Sequence, residues 1–255
     1  MKTNSEPDRT VKTAERVFDI LEYLEQVDTA TIRDVADHVE IAKSTAYTYL
    51  ATFEKHEYIA KQDGAYTLGL KSLETGIIAR KNLDITSAAE STIQQVAEKT
   101  GETVWIVVEE HSQAVYLLKC EGENAVQTRG EVGKRTTLHD IAAGKAILAH
   151  MDEAAVKEII EYHGLPARTN QTITNADALF DELTTVRERG YAVNRGETTG
   201  KLRAVASPII VDETVHGAIG VAGPKNRLSG ERLETTLPSM IQEAADTIVL
   251  NLTYS

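Results

Sequence analysis

Residues 31–69 read TIRDVADHVEIAKSTAYTYLATFEKHEYIAKQDGAYTLG, and this stretch restricts the fold more than any other in the chain. Ile32, Val35, Ala36 and Val39 recur at helical spacing behind Thr31, which predicts a helix over residues 31–38. A second helix starts near Lys43. It turns Ala46, Leu50 and Phe53 to one side and Ser44, Tyr47, Thr48 and Lys55 to the other. Two strand-like runs follow, Tyr58-Ile59-Ala60-Lys61 and Ala65-Tyr66-Thr67-Leu68, around a Gln62-Asp63-Gly64 turn whose Asp-Gly pair favours a hairpin. Two short helices and a hairpin, in that order, make a winged helix-turn-helix, which sets its second helix into a DNA major groove. Upstream, Val17, Ile20, Leu21 and Leu24 predict a packing helix over residues 11–26.

The charge balance runs against a simple DNA-binding reading. The chain of 255 residues carries 27 Lys and Arg against 39 Asp and Glu, a net of −12, where phosphate contacts usually come with a basic footprint. Acid is spread over both halves, with 10 basic against 14 acidic residues in positions 1–80. A cell with very high internal salt explains this: screening shortens the Debye length to about 3 Å at 1 M, and the same salt weakens binding that relies on counterion release. The alternative is an acidic surface that serves solubility alone. No apolar run nears the roughly 18 residues of a membrane span, and MKTNSEPDRT has no signal-peptide core, so a cytoplasmic protein with no membrane partner is expected. A lone cysteine, Cys120, excludes an internal disulfide and a CxxC zinc site; its place in AVYLLKC predicts a buried strand residue.

Residues 70–100 have helical composition with one central glycine, Gly76, and are read as a linker helix leading into a second long helix. The resulting domains are 10–69, the winged helix-turn-helix; 70–84, the linker helix; and 85–255, a second domain. In the last, TVWIVVEE, AVYLLKCE and NAVQTRGEV look extended, as do residues 191–195, 204–211 and 215–222. Helices are expected over 141–150, 152–162, 177–189 and 230–250. Clustered strands predict an α+β domain with an antiparallel or mixed sheet.

These residues make up a pattern that resembles the IclR family of transcriptional regulators over almost the whole chain. The resemblance rests on ERVFDILEYL, IAKSTAYTYLATFEKHEYI and GAYTLGLKSLETG in the first domain. In the second it rests on VGKRTTLHDIAAGKAILA, TITNADALFDELTTVRERGYAVNRGE and VASPIIVDETVHGAIGVAGPKNR. It implies an N-terminal winged helix, a dimerising linker helix and a C-terminal effector-binding domain with a GAF-like sheet. It also implies a homodimer or dimer of dimers on a double-stranded, palindromic operator, answering a small organic acid, with no cofactor. Two-fold symmetry has a physical motive, because one recognition helix reads only a few base pairs.

Lys43, Ser44, Thr45, Tyr47 and Thr48 match the family's recognition-helix stretch. Lys43, Ser44 and Thr45 are phosphate candidates at the helix start, Thr45 alternatively a cap, and Tyr47 and Thr48 are candidates for base edges. The family often has arginine in place of Thr48, so direct guanine readout is in doubt there. Lys61 in the wing is a phosphate or minor-groove candidate; Lys55 and Arg33 are weaker ones. For the effector, the resemblance implies Leu138, Ala142, Ala143, Asn194, Ala204, Gly220 and Ala222, with backbone donors from Ala142 and Ala143 and a polar contact from Asn194. Members that bind small keto acids typically offer an acidic group, a thiol and hydroxyls where this chain has Asn194, Ala204, Gly220 and Ala222. Loss of those partners predicts rejection of a small keto acid in favour of a sugar acid or aromatic acid. Lys134, Arg135 and Arg203 are candidates to balance its charge, with surface ion pairs the competing reading.

An enzyme is not expected. Gly196-Glu197-Thr198-Thr199-Gly200-Lys201-Leu202 departs from a phosphate-binding loop in both glycine spacing and its last residue, and no GxSxG, HExxH or GxGxxG occurs. His139-Asp140 is the one histidine–carboxylate pair near the expected pocket, and no metal is assigned to it. The alternatives are a sugar-acid-metabolising enzyme, for which Ala204, Gly220 and Ala222 are poor material, and an architectural DNA binder indifferent to metabolites.

Overall fold

The computed structural model describes residues 10–126 and 130–254. Two compact units divide between Asn82 and Leu83. In the first, α1 (Lys12–Gln26), α2 (Ile32–His38) and α3 (Lys43–Lys55) precede β1 (Ile59–Gln62) and β2 (Ala65–Leu68), and α4 (Lys71–Lys81) follows. Helix α2 is only seven residues long and needs its ends satisfied. Thr31 and Asp34 form a reciprocal capping box, with the Thr31 N–H donating to Asp34 at 2.8 Å and the Asp34 N–H to the Thr31 hydroxyl at 3.3 Å. Those bonds to Thr31 hold the Asp34 carboxyl below its usual range. Ile20, Leu24, Val35, Ala36, Ala46, Leu50, Phe53 and Ile59 close the core around the buried Tyr66.

The hairpin turns on two residues, Asp63 at φ 51° and Gly64 at φ 84°, the left-handed pair that suits strand twist. Ala30 bridges the other edge of β2, exchanging backbone hydrogen bonds with Tyr66 at 2.9 and 2.8 Å. Gly69 closes the wing: its N–H donates to the Tyr58 carbonyl at 2.8 Å, and a Cβ there would lie 2.2 Å from the Glu57 oxygen.

The second unit is a six-stranded antiparallel sheet in the order β5-β4-β3-β8-β7-β6. Its strands are β3 (Thr103–Glu110), β4 (Gln113–Glu121), β5 (Arg135–Thr136), β6 (Ala192–Asn194), β7 (Leu202–Val211) and β8 (Thr214–Pro224). Its helices are α5 (Asp84–Thr100), α6 (Ala142–Leu148), α7 (Glu153–His163), α8 (Ala176–Arg189) and α9 (Leu237–Tyr254). Side chains alternate across the sheet, so Val104, Ile106 and Val108 of β3 join α5 and α9 in one core, while Trp105 and Val107 join α6 and α8 in the other. A strand covered on both faces reads as the unbroken apolar run seen there. Full burial of each such Ile or Val contributes about 1.5–3 kcal/mol.

Several expectations are corrected. NAVQTRGEV makes no strand among the described residues: Asn124 lies in a turn, positions 127–129 fall outside them, and the sheet edge is the two-residue β5 instead. A five-residue π-helical turn, Arg232–Thr236, precedes α9. Cys120 is only half-buried, because its side chain faces α5, where the thiol donates to Gln94 Oε1 at 2.8 Å. Burial still pushes that thiol up.

Candidate functional site

In the first unit, α3 turns Lys43, Ser44, Tyr47, Thr48 and Lys55 to the solvent, with Tyr47 55% exposed. Thr45 is half-buried and does not cap; Ala42 occupies that position and makes no side-chain bond. The Thr48 hydroxyl donates to the Ser44 carbonyl at 3.0 Å, and that of Thr52 to the Thr48 carbonyl at 2.8 Å. With its hydrogen engaged, Thr48 offers a groove its methyl and its oxygen lone pairs, chemistry that suits a thymine methyl or a base amino group. Lys61 is exposed on the wing, its Nζ 5.3 Å from the Tyr66 ring centre. Arg33 is paired with Asp37 at 3.5 Å, an exposed contact of little energy.

The second unit holds a cleft between α6 and the sheet, open on one side. Its origin is a pattern of missing side chains. Strands β7 and β8 pair Ala204 with Ala222 and Ala206 with Gly220, and all four line the cleft. Their neighbours Val205, Ile209, Ile219 and Val221 point to the opposite face and fill the other core. One face of one strand pair is thus packed to capacity while the other is cut down to methyls and hydrogen.

The far wall is aromatic. Trp105, paired with Gly220 across β3 and β8, meets Tyr116 at 4.7 Å between ring centres and 59° between planes. A Cβ on Gly130 would press within 3.0–3.3 Å of both rings. Burial, with Asp140 adding and Arg168 opposing, pushes the Tyr116 hydroxyl up to about 12, so at neutral pH it is a hydrogen-bond donor.

Residues 194–200 form the rim, held from below. Asn194 Oδ1 accepts from the Gly196 and Glu197 N–H groups, both at 2.9 Å. Its Nδ2 donates to the Asp140 carbonyl at 2.6 Å and the Thr198 hydroxyl at 3.1 Å. Two donors and two acceptor positions are therefore spent on the loop. Lys145, 1% exposed, reaches up from α6 and donates to Glu197 Oε1 at 2.7 Å, the Val193 carbonyl at 2.8 Å and Glu182 at 3.3 Å. Burial raises the Glu197 carboxyl, with Lys145 pulling the other way. Gly144 allows α6 to sit this close, since a Cβ there would lie 2.1 Å from the Leu138 oxygen.

Of the residues expected around an effector, Ala142, Ala143, Asn194, Ala204, Gly220 and Ala222 line this cleft. Leu138 does not; it is fully buried and faces a separate small hollow beside His139 and His163. Asn194 lines the cleft with its amide already engaged. Arg203 is on the wall, whereas Arg135 is ion-paired with Glu110 and Lys134 lies in an exposed turn. His139 sits below the cleft, its Nε2 3.2 Å from the Pro166 carbonyl and its pKa lowered by burial. Among the described residues no cluster of His, Cys, Asp or Glu could hold a metal ion, and no helix is long and apolar enough to cross a membrane. Trp105, Tyr116, Thr198 and Thr199 were not anticipated. The signal for the aromatic wall was the strand alternation itself, which puts Trp105 on the face opposite Val104 and Ile106.

Residues 13–63 match the IclR helix-turn-helix domain, and residues 78–250 match the C-terminal domain of bacterial IclR transcriptional regulators. The chain is 30% identical to the probable HTH-type transcriptional regulator ArcR of Halobacterium salinarum over 98% of its own length and 96% of that protein's. It is likewise 30% identical to the HTH-type transcriptional regulator KdgR of Escherichia coli, with the same coverage. Among solved structures, Thermotoga maritima IclR superposes with a TM-score of 0.80 at 28% identity, covering 95% of this chain and 99% of that one. An IclR homolog from Microbacterium hydrocarbonoxydans, complexed with 4-hydroxybenzoate, shares the fold at a TM-score of 0.84 and 22% identity, covering 96% and 100%.

Proposed function

The chain belongs to the IclR family of DNA-binding transcriptional regulators, and from that premise we propose that its C-terminal cleft binds a sugar acid or an aromatic acid in preference to a small keto acid, and that occupancy alters operator binding. The observation that carries this reading is the set of small residues facing Trp105 and Tyr116. An open, apolar and aromatic-walled cleft with few open polar groups suits a ring or an extended carbon chain, and leaves a two- or three-carbon acid without the polar partners it needs. Thr199, whose hydroxyl makes no hydrogen bond among the described residues, and the leading N–H groups of α6 at Ala142 and Ala143 supply polar contacts. Arg203 supplies the charge. The fold neighbour that was solved with 4-hydroxybenzoate agrees with the aromatic-acid class.

In this reading Lys43, Ser44, Thr45 and Lys61 hold phosphates, and Tyr47 and Thr48 contact base edges. The protein acts in the cytoplasm on a palindromic operator as a homodimer or dimer of dimers. Helix α4, which buries none of its residues and leaves Leu73 59% and Ile78 54% exposed, supports an association surface. Isothermal titration of the full-length protein with gluconate, 4-hydroxybenzoate, pyruvate and glyoxylate tests the effector class. Heat from one of the first two is expected; tight binding of pyruvate or glyoxylate overturns it.

A further inference from the structure

We propose that the effector carries two anionic groups, one in the cleft beside Arg203 and a second, a phosphate or a carboxylate, held outside it by Lys201 and Lys225. The inference rests on the reading of the cleft as an acid-binding site. Beside the cleft lies an open hollow lined by Gly200, Lys201, Arg203, Lys225, Asn226 and Ser229. Arg203 lines both spaces, so they share a wall. The strand register brings the cations together: Arg203 pairs with Gly223 across β7 and β8, and the Lys225 N–H donates to the Lys201 carbonyl at 2.9 Å.

Three cations and no acid line this hollow in a chain whose net charge is −12. Among the described residues, none of the three makes an ion pair. The nearby acids are already matched: Glu102 is gripped by Arg227 at 2.8 and 2.6 Å and approached by Arg232 at 3.4 Å, and Glu234 is held by both Arg195 nitrogens at 2.8 and 3.0 Å. Arg203 is oriented through one bond, Nη1 to the Leu228 carbonyl at 3.1 Å, while its buried Nε has no acceptor. Like charges this close repel, and a phosphate or carboxylate seated among them relieves that repulsion, while Asn226 and Ser229 add polar groups at the same hollow. The length of such a ligand follows: an acid group in the cleft and an anionic group past Arg203 require an elongated molecule.

The test uses full-length protein and two matched pairs, gluconate against 6-phosphogluconate and 4-hydroxybenzoate against terephthalate. Affinity is read from the fluorescence of Trp105, the only tryptophan, and checked by calorimetry. In at least one pair the member with the second anionic group is expected to bind about tenfold tighter or more, a preference that shrinks as salt rises. Which pair shows it separates a terminal phosphate from a second carboxylate. In the Lys201→Ala/Lys225→Ala variant, both positions being exposed, the preference is expected to vanish while the monoanion binds within about twofold of wild type. Equal affinity within both pairs, or a preference that survives the double substitution, overturns the second subsite and leaves the cleft reading standing. No binding of any of the four probes overturns both.

Discussion

Replacing Lys145 by Met isolates the ion pair that holds the rim of the cleft. The methionine keeps the apolar stem and removes three hydrogen bonds, to Glu197, Val193 and Glu182. Glu182 keeps Arg189 at 3.2 Å and is a quarter exposed, so it is not stranded. Glu197, 5% exposed and with Oε2 already lacking a partner, is. A buried carboxylate without its cation costs about 3–5 kcal/mol, but neutralising it sets a ceiling. Against an ordinary value of 4.5, protonation at pH 7 costs about 3.4 kcal/mol at 1.36 kcal/mol per unit. Losing the Val193 bond adds about 1 kcal/mol, so the expected deficit at pH 7 is about 4 kcal/mol. The sign of the pH dependence follows from the raised folded pKa of Glu197. Below 4.5 both states are protonated and the carboxyl costs nothing; the deficit grows as pH rises toward the folded pKa and then levels off. Urea unfolding read through Trp105, which reports the second unit alone, measures it at pH 5 and pH 7. A Lys145→Met/Glu197→Gln variant is expected to recover more than half of the loss at pH 7. A deficit under about 1 kcal/mol at pH 7, one independent of pH, or a double variant no better than the single would refute the reasoning.

Further outcomes are expected of the two units. Ala222→Leu places a branched side chain opposite Ala204 and is expected to abolish acid binding with little change in thermal stability, since it fills open space; a large loss of stability would show that the space is core. Tyr47→Ala and Thr48→Ala are expected to weaken operator binding more than binding to random DNA, measured by anisotropy, and equal losses would reduce them to backbone contacts. Leu73→Asp/Ile78→Asp is expected to shift the protein toward monomer in analytical ultracentrifugation, and an unchanged mass would remove α4 from the interface. Unfolding in rising KCl tests the high-salt explanation of the charge: stability that climbs toward 1 M supports it, whereas a flat curve assigns the acid to solubility.

The helix-turn-helix was legible because its signals are local: Thr31 with Asp34, the apolar face of α3 and the Asp63-Gly64 turn each act within a few residues. In the second domain the strands of β3, β4, β7 and β8 were legible as apolar runs. Residues 130–134 were not, since a segment that sets Gly130 against two aromatic rings carries the same composition as an extended run. The small residues of the cleft could be carried over from the family pattern, but their meaning depends on register. Only the pairing of Ala204 with Ala222 and Ala206 with Gly220 turns scattered alanines into one cavity. Leu138 lies outside the cleft lining, fully buried beside a separate hollow, a placement that its spacing from α6 does not reveal. The Asn194–Asp140 bond and the Lys145–Glu197 pair are long-range contacts, with no trace in local spacing.

The central claim, that an organic acid in this cleft governs DNA binding, is tested most directly on an operator selected from random DNA by the full-length protein. Its affinity is titrated by anisotropy with gluconate, 6-phosphogluconate, 4-hydroxybenzoate and terephthalate, for the wild type and for Ala222→Leu. At least one acid is expected to shift operator affinity about tenfold in the wild type, and none in the variant. Operator affinity that no acid changes, or that an acid changes equally in both proteins, would contradict it.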